Sequence, residues 1–235
     1  MKHTLRMRRM IAVIIIALGL GLALFFHPNM QQLSVQAPET NQITGSAVDA
    51  LNTLEVKGRA AKTGYARTQF GDGWVTVGGC DTRNLILKRD LKNVVIDDAC
   101  KVLRGTLNDP YTGKMIEFKR GADTSDDVQI DHVVALSDAW QTGAQQLTMD
   151  KRIELANDPL ELLAVDGAAN QQKSDADAAT WLPPNKAFRC QYVARQIAVK
   201  KKYTLWVTGA EKDAIVRVLS ACPGQALPGD NHGRV

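Results

Sequence analysis

The stretch QIDHVVAL, residues 129–136, carries the one histidine outside the two ends of the chain; His3 and His27 belong to the N-terminal region and His232 to the C-terminal tail. An imidazole has an unperturbed pKa near 6.5, so His132 is suited to take a proton as a general base. With no second histidine in the domain, no His/His metal pair can be built, and histidine-rich zinc hydrolase chemistry is excluded. Asp131 precedes His132 directly. Adjacent side chains on a strand face opposite sides, so the two serve one site only if the strand bends or ends there. Taken alone, the Asp-His pair is equally readable as a satisfied structural histidine.

The surrounding pattern describes the elements that would hold this pair. Residues 129–136 form a β-type run, and SDAWQTGA after it starts a helix. Residues 148–156 read as a helix that stops at NDP, and LELLAV, 160–165, as a second β-type run. DGAANQQKSD, 166–175, turns out of it into a short helix or loop. Upstream, 47–56 has helical spacing, 71–79 is glycine-rich around a short β-prone core, and 81–91 is a short helix capped by Asp81 or Thr82. KVLRGTL and KMIEF read as strands joined by the turn sequence NDPYTG. Residues 184–203 form an amphipathic helix, 209–222 the last helix, and the tail after Pro223 reads as disordered. The expectation is one α+β domain over 47–222, preceded by a linker at 38–46.

Residues 1–10 are basic, and IAVIIIALGLGLALFF, 11–26, contains no charge. At about 1.5 Å per residue the run is roughly 24 Å long, short for a bilayer core of about 30 Å. This is the pattern of a secretory signal, and an uncleaved anchor is the alternative, because Pro38 opposes cleavage after Ala37. Both place the rest of the chain outside the cytoplasm. Four cysteines in an exported chain point to disulfides. Of the three pairings, Cys80–Cys100 and Cys190–Cys222 join neighbouring elements, and the lack of a C-x-x-C spacing argues against a zinc knuckle.

The net charge of +4 is carried by Lys2, Arg6, Arg8 and Arg9, so the chain from Pro38 onward is neutral. It is uneven, with a net of −9 over residues 121–180 and +6 over 181–235. An acidic centre between basic flanks suits a cation site served by anion-binding surfaces, and equally an ordinary solvated surface.

The order Asp131-His132, a second β-type run, then Asn170-x-x-Lys173-Ser174-Asp175 resembles the HNH endonucleases, a branch of the His-Me-finger (ββα-metal) nucleases. The closer resemblance is to exported HNH-family proteins related to the C-terminal domain of GmrSD-type restriction enzymes. It is carried by CDTRN and RDL within 80–91, DPYTG at 109–113, DHVVALSDAWQTGA at 131–144, WLPPN at 181–185 and RCQYV at 189–193. It covers about residues 50–222.

The resemblance implies an α+β fold in which a ββα-metal core is embedded in a single small domain with additional helices and a β-hairpin. It implies His132 as general base, and Asp131 and Asn170 as oxygen ligands of one Mg²⁺ or Mn²⁺. Arg83 and Lys173 are the candidate catalytic and substrate-binding cations on the phosphate. Structural alternatives are a surface helix lysine for Lys173, a structural ion pair for Arg83 and a helix-end acid for Asp175. Trp140 and Trp181 read as core. Glu161 stands nine residues before Asn170, where the family has an Asn that braces the histidine loop through its backbone. An ionised Glu accepts such a bond and cannot donate one, which puts the bracing in doubt; Asn157 is the alternative.

The resulting expectation is an exported or surface-anchored metal-dependent endonuclease acting on DNA, with RNA as a second possibility. Its partner is nucleic acid, and any membrane contact runs through the N-terminal segment. The reading from another class is a non-catalytic nucleic-acid-binding or envelope protein.

Overall fold

The computed structural model describes residues 46–229. The leader, and the linker up to residue 45, lie outside them. Among the described residues no helix is long and apolar enough to cross a membrane.

The described part is α+β. In chain order it contains α1 (Ala47–Thr53), β1 (Thr76–Val77), β2 (Cys80–Asp81), α2 (Thr82–Asp90), β3 (Leu91–Ile96), β4 (Val102–Asn108) and β5 (Met115–Lys119). It continues with β6 (Val128–His132), α3 (Leu136–Gln141), α4 (Met149–Asn157), β7 (Leu162–Asp166), α5 (Gly167–Lys173), α6 (Arg189–Lys202) and α7 (Gly209–Leu219). The strands form three small antiparallel sheets: β1-β2, β3-β4-β5 and β6-β7.

Local chemistry explains the boundaries that matter for the site. The Asp81 carboxylate accepts from Asn84 N–H at 2.8 Å and caps α2, as expected. Asp166 caps α5 in the same way, accepting from Ala169 N–H at 2.7 Å. Gly167 opens that helix because a Cβ there would lie 1.9 Å from Asp126 O. Thr208 and Glu211 open α7 with a reciprocal capping box. The helix expected over 209–222 stops at Leu219, and that expected over 184–203 begins at Arg189 after a 3₁₀ turn at Lys186–Phe188.

Two apolar clusters flank the β6-β7 ribbon. One joins Leu51, Tyr111, Val133, Trp140, Tyr192 and Ile197, and includes the helices. The other lies between α2 and the three-stranded sheet, around Ile86, Leu107, Phe118 and Val128. Trp140 packs in the first cluster and Trp181 against it, as core residues. The disulfides are Cys80–Cys100 and Cys190–Cys222, the pairing favoured from the sequence.

Three features differ from the sequence reading. Residues 91–96 form strand β3, which the helical pattern of 81–91 had masked. A 3₁₀ turn occupies Arg67–Phe70. Residues 223–229, expected to be disordered, pack on the domain: Ala47 N–H donates to Gln225 O at 2.8 Å, Ser46 pairs with Ala226, and Leu227 is buried.

Candidate active site

β6 ends at His132, and residues 133–134 bend into α3. The bend is held from β7's entry: Val133 N–H donates to Glu161 O at 2.9 Å, and Val134 N–H to Glu161 Oε2 at 3.2 Å. Glu161 therefore braces the histidine segment by accepting. Its carboxyl is fully buried, and Oε1 has no hydrogen-bond partner. Burial pushes its pKa well above the usual carboxylate value, against the Val134 N–H and Lys173, with Asp131 and Asp158 adding to the rise. Asn157, the alternative brace, instead accepts from Val75 N–H at 3.0 Å and ties down the glycine-rich segment.

The strand alternation sends Asp131 and His132 opposite ways, and the chain surrounds each with its own partners. The His132 ring stacks on Trp74, with centroids 5.7 Å apart and planes 5° from parallel. Its Nε2 lies 3.0 Å from Ala156 O. A carbonyl only accepts, so Nε2 carries the hydrogen and Nδ1 keeps the lone pair. Burial lowers the His132 pKa to about 3, assisted by the charges of Arg67 and Lys173 and opposed by the Ala156 carbonyl. The ring is neutral at neutral pH, the state a base requires.

Asp131 faces inward. Tyr111 donates its hydroxyl to Asp131 Oδ2, and Lys173 Nζ donates to Oδ1 at 2.8 Å. Lys173 also donates to His132 O at 2.7 Å. Burial raises the Asp131 pKa, and Lys173 and Tyr111 oppose the rise. Lys173 is only 1% exposed. The phosphate contact expected of it is thus replaced by an internal ion pair: α5 directs the ammonium into the protein, onto the strand it packs against.

A cavity of about 510 Å³ brings together Asp131, His132, Asn170 and Arg83. Asn170 donates from Nδ2 to Gln129 Oε1 at 2.9 Å, which leaves its amide oxygen as the uncommitted end. Arg83 donates from one nitrogen to Ser125 O at 3.3 Å and Val128 O at 3.1 Å. Those bonds fix the guanidinium at the cavity wall, and among the described residues no ion pair engages it. Asp175 also lines the cavity, where it accepts from Lys62 at 3.0 Å and Ser137 at 3.2 Å, and Lys62 holds its pKa below the usual value. Ser174 beside it holds φ +50, an uncommon backbone state for a residue with a Cβ.

Sequence reasoning missed Arg67, Trp74, Tyr111 and the Ala156 carbonyl. Arg67 is exposed at the cavity and no hydrogen bond or ion pair engages its guanidinium among the described residues. Trp74 gave one legible signal, a lone aromatic inside a glycine run. Tyr111 was read as part of a turn, and a carbonyl leaves no trace in side-chain identity. With His132 neutral, Lys62, Arg67 and Arg83 outweigh Asp131 and Asp175, so the lining favours an anion.

No group of three His, Cys, Asp or Glu side chains able to hold a metal ion occurs among the described residues. The donors at hand are hard oxygens: the Asn170 amide oxygen, and the Asp131 carboxylate, whose oxygens each keep a lone pair beyond the bonds from Tyr111 and Lys173. That set fits a cation of the Mg²⁺ kind, which takes few protein ligands and retains water.

The sequence matches the family described as GmrSD restriction endonucleases, C-terminal domain, over residues 81–218. It is also 37% identical over 191 residues, 80% of this chain and 90% of the other, to an uncharacterized secreted protein of Arthroderma benhamiae. No solved structure matches. On the matched length, the chain belongs to the family of the GmrSD restriction endonuclease C-terminal domain.

Proposed function

We propose that the protein is an exported, metal-dependent endonuclease of the HNH (ββα-metal) type that hydrolyses phosphodiester bonds of DNA, with RNA as a second substrate. The observation that carries this reading is the neutral His132, fixed by Ala156 O and Trp74 beside a cationic cavity shared with Asn170. The antiparallel β6-β7 ribbon, whose connection holds α3 and α4, and the α5 that follows support a reading as a ββα unit, with the histidine at the end of the first strand and Asn170 on the helix. Family membership supports a nuclease, and the secreted relative supports export.

In this reading Nδ1 of His132 accepts a proton from the attacking water while Nε2 stays bonded to Ala156. Arg83 and Arg67 bind the non-bridging oxygens of the phosphodiester. Asp131 and Asn170 would hold one Mg²⁺ or Mn²⁺, which supplies Lewis-acid polarisation of the phosphodiester when bound. Lys173, Tyr111 and Glu161 position these groups and do not touch substrate.

The test is plasmid degradation with Mg²⁺, with and without EDTA, for the wild type and His132→Ala. Equal rates for the two proteins remove His132 from the mechanism, and persistence in EDTA removes the metal. One observation favours the non-catalytic binder: both Asp131 oxygens already accept internal bonds, one from an ammonium. DNA retention with no cleavage under any divalent cation establishes that second reading.

A further inference from the structure

His132 sits between two cavities. Besides the polar one, a smaller cavity of about 130 Å³ lies on the Trp74 side and shares Arg67, His132 and Leu136 with it. Its own walls are Phe70, Gly71, Gly73, Trp74 and Ala156. No carboxylate lines it, and its only full charge is Arg67, at the junction. Gly71 and Gly73 hold φ +98 and +128, a backbone state that favours glycine.

A phosphodiester joins two nucleosides. If the scissile phosphate lies at Arg67 and His132, one nucleoside extends to each side, and the structure offers one space on each side. The polar cavity suits sugar, phosphate and solvent. The smaller one has aromatic and apolar walls, Phe70 and Trp74 among them, that suit the face of a base. At about 130 Å³ it is roughly a quarter the size of the polar cavity, a space on the scale of a single ring system.

We propose that this smaller cavity is a nucleobase slot, which seats the base adjoining the scissile phosphate and so directs the protein to unpaired nucleotides: single strands, loops, or bases drawn out of a duplex. The proposal rests on the nuclease reading for the place of the phosphate. Phe70 through Trp74 precede residues 81–218, the stretch matched to the family.

The test uses the exported domain with Mg²⁺ and end-labelled oligonucleotides: a single strand, its duplex, and the same strand with one abasic residue. Cleavage is mapped at each phosphate. The expected result is at least tenfold higher kcat/KM on the single strand than on the duplex, and about tenfold suppression at a phosphate beside the abasic residue, with distant phosphates unaffected. Phe70→Leu, which removes an aromatic wall, should lower kcat/KM on the intact single strand and shrink the abasic effect, while the rate at a phosphate beside the abasic residue stays near the wild-type value. Binding is read separately in EDTA: the intact strand quenches tryptophan fluorescence, the signal is assigned by Trp74→Phe, and a fully abasic strand quenches much less. Equal cutting of single and double strands with no abasic effect overturns the slot. If nothing is cut, the binding arm still decides it, and the nuclease reading alone falls.

Discussion

The Lys173 ammonium and the Asp131 carboxylate meet at 2.8 Å with both side chains withdrawn from solvent, beneath the strand that carries His132. Removing one member of a buried pair strands the other charge and costs about 3–5 kcal/mol. Lys173→Met should lower the free energy of unfolding by that order in urea titrations. Asp131→Asn combined with Lys173→Met should recover part of the loss. A surface lysine that only touched phosphate would leave the urea midpoint unchanged.

His132→Ala should leave the fold intact and reduce cleavage by about 10²–10⁴-fold, the usual contribution of a positioned base. Because burial holds the His132 pKa at about 3, the wild-type rate should not drop as pH falls through about 6.5, where an ordinary histidine takes its proton. A pH–rate profile checks this; a steep loss centred there contradicts the buried neutral ring.

Arg67 makes no hydrogen bond or ion pair among the described residues, so Arg67→Ala should change the melting temperature little. It should weaken cleavage by about 10–100-fold, as expected for one or two charge-assisted bonds to phosphate. Arg67 also lowers the His132 pKa, so its loss should shift the acid limb of the pH profile upward. An unmoved limb would contradict the action of the Arg67 charge on the His132 ring.

Glu161 has the opposite sign from an ordinary stabilising carboxylate. Its folded pKa is raised, so the folded state holds the proton after the unfolded chain has released it. Its stabilising effect is complete below the unfolded value and is lost as pH rises through the folded one. Glu161→Gln keeps an oxygen for Val134 N–H and cannot ionise. It should therefore stabilise the protein by about 1–3 kcal/mol, with the gap over wild type widening as pH rises. Urea midpoints across the pH range, measured for both proteins, test the slope.

The two disulfides close sequence separations of 20 and 32 residues. In the chain-entropy account each contributes about 3–4 kcal/mol. Paired Cys→Ser replacement should lower stability by roughly that amount per bridge, read as midpoint shifts. Cys80–Cys100 lies on the chain that continues from Trp74, so its removal should also reduce cleavage more than loss of Cys190–Cys222 does.

How much of this was legible in the sequence follows from what each feature depends on. The helices and strands around the site have strong periodicity, and the caps at Asp81 and Thr208 act within three residues. The place of His132 at a strand end followed from Asp-His next to a helix start. The inward turn of Lys173 did not, because a short helix shows no polarity that tells which face meets the sheet. β3 was hidden because LKNVVI follows α2 with no breaker. Arg67 and the Ala156 carbonyl come from segments remote in the chain, and only tertiary packing brings them to His132.

One helix does two jobs. α4 presents the Ala156 carbonyl to His132, and from the same helix Asn157 accepts from Val75 N–H while Arg152 donates to Gln69 O at 2.7 Å. The imidazole and the loop that overhangs it are thus hung from a single rod. A substitution that loosens α4 therefore unseats the partner of His132 Nε2 and the anchors of the Trp74 segment together, without altering His132 or the cavity arginines themselves.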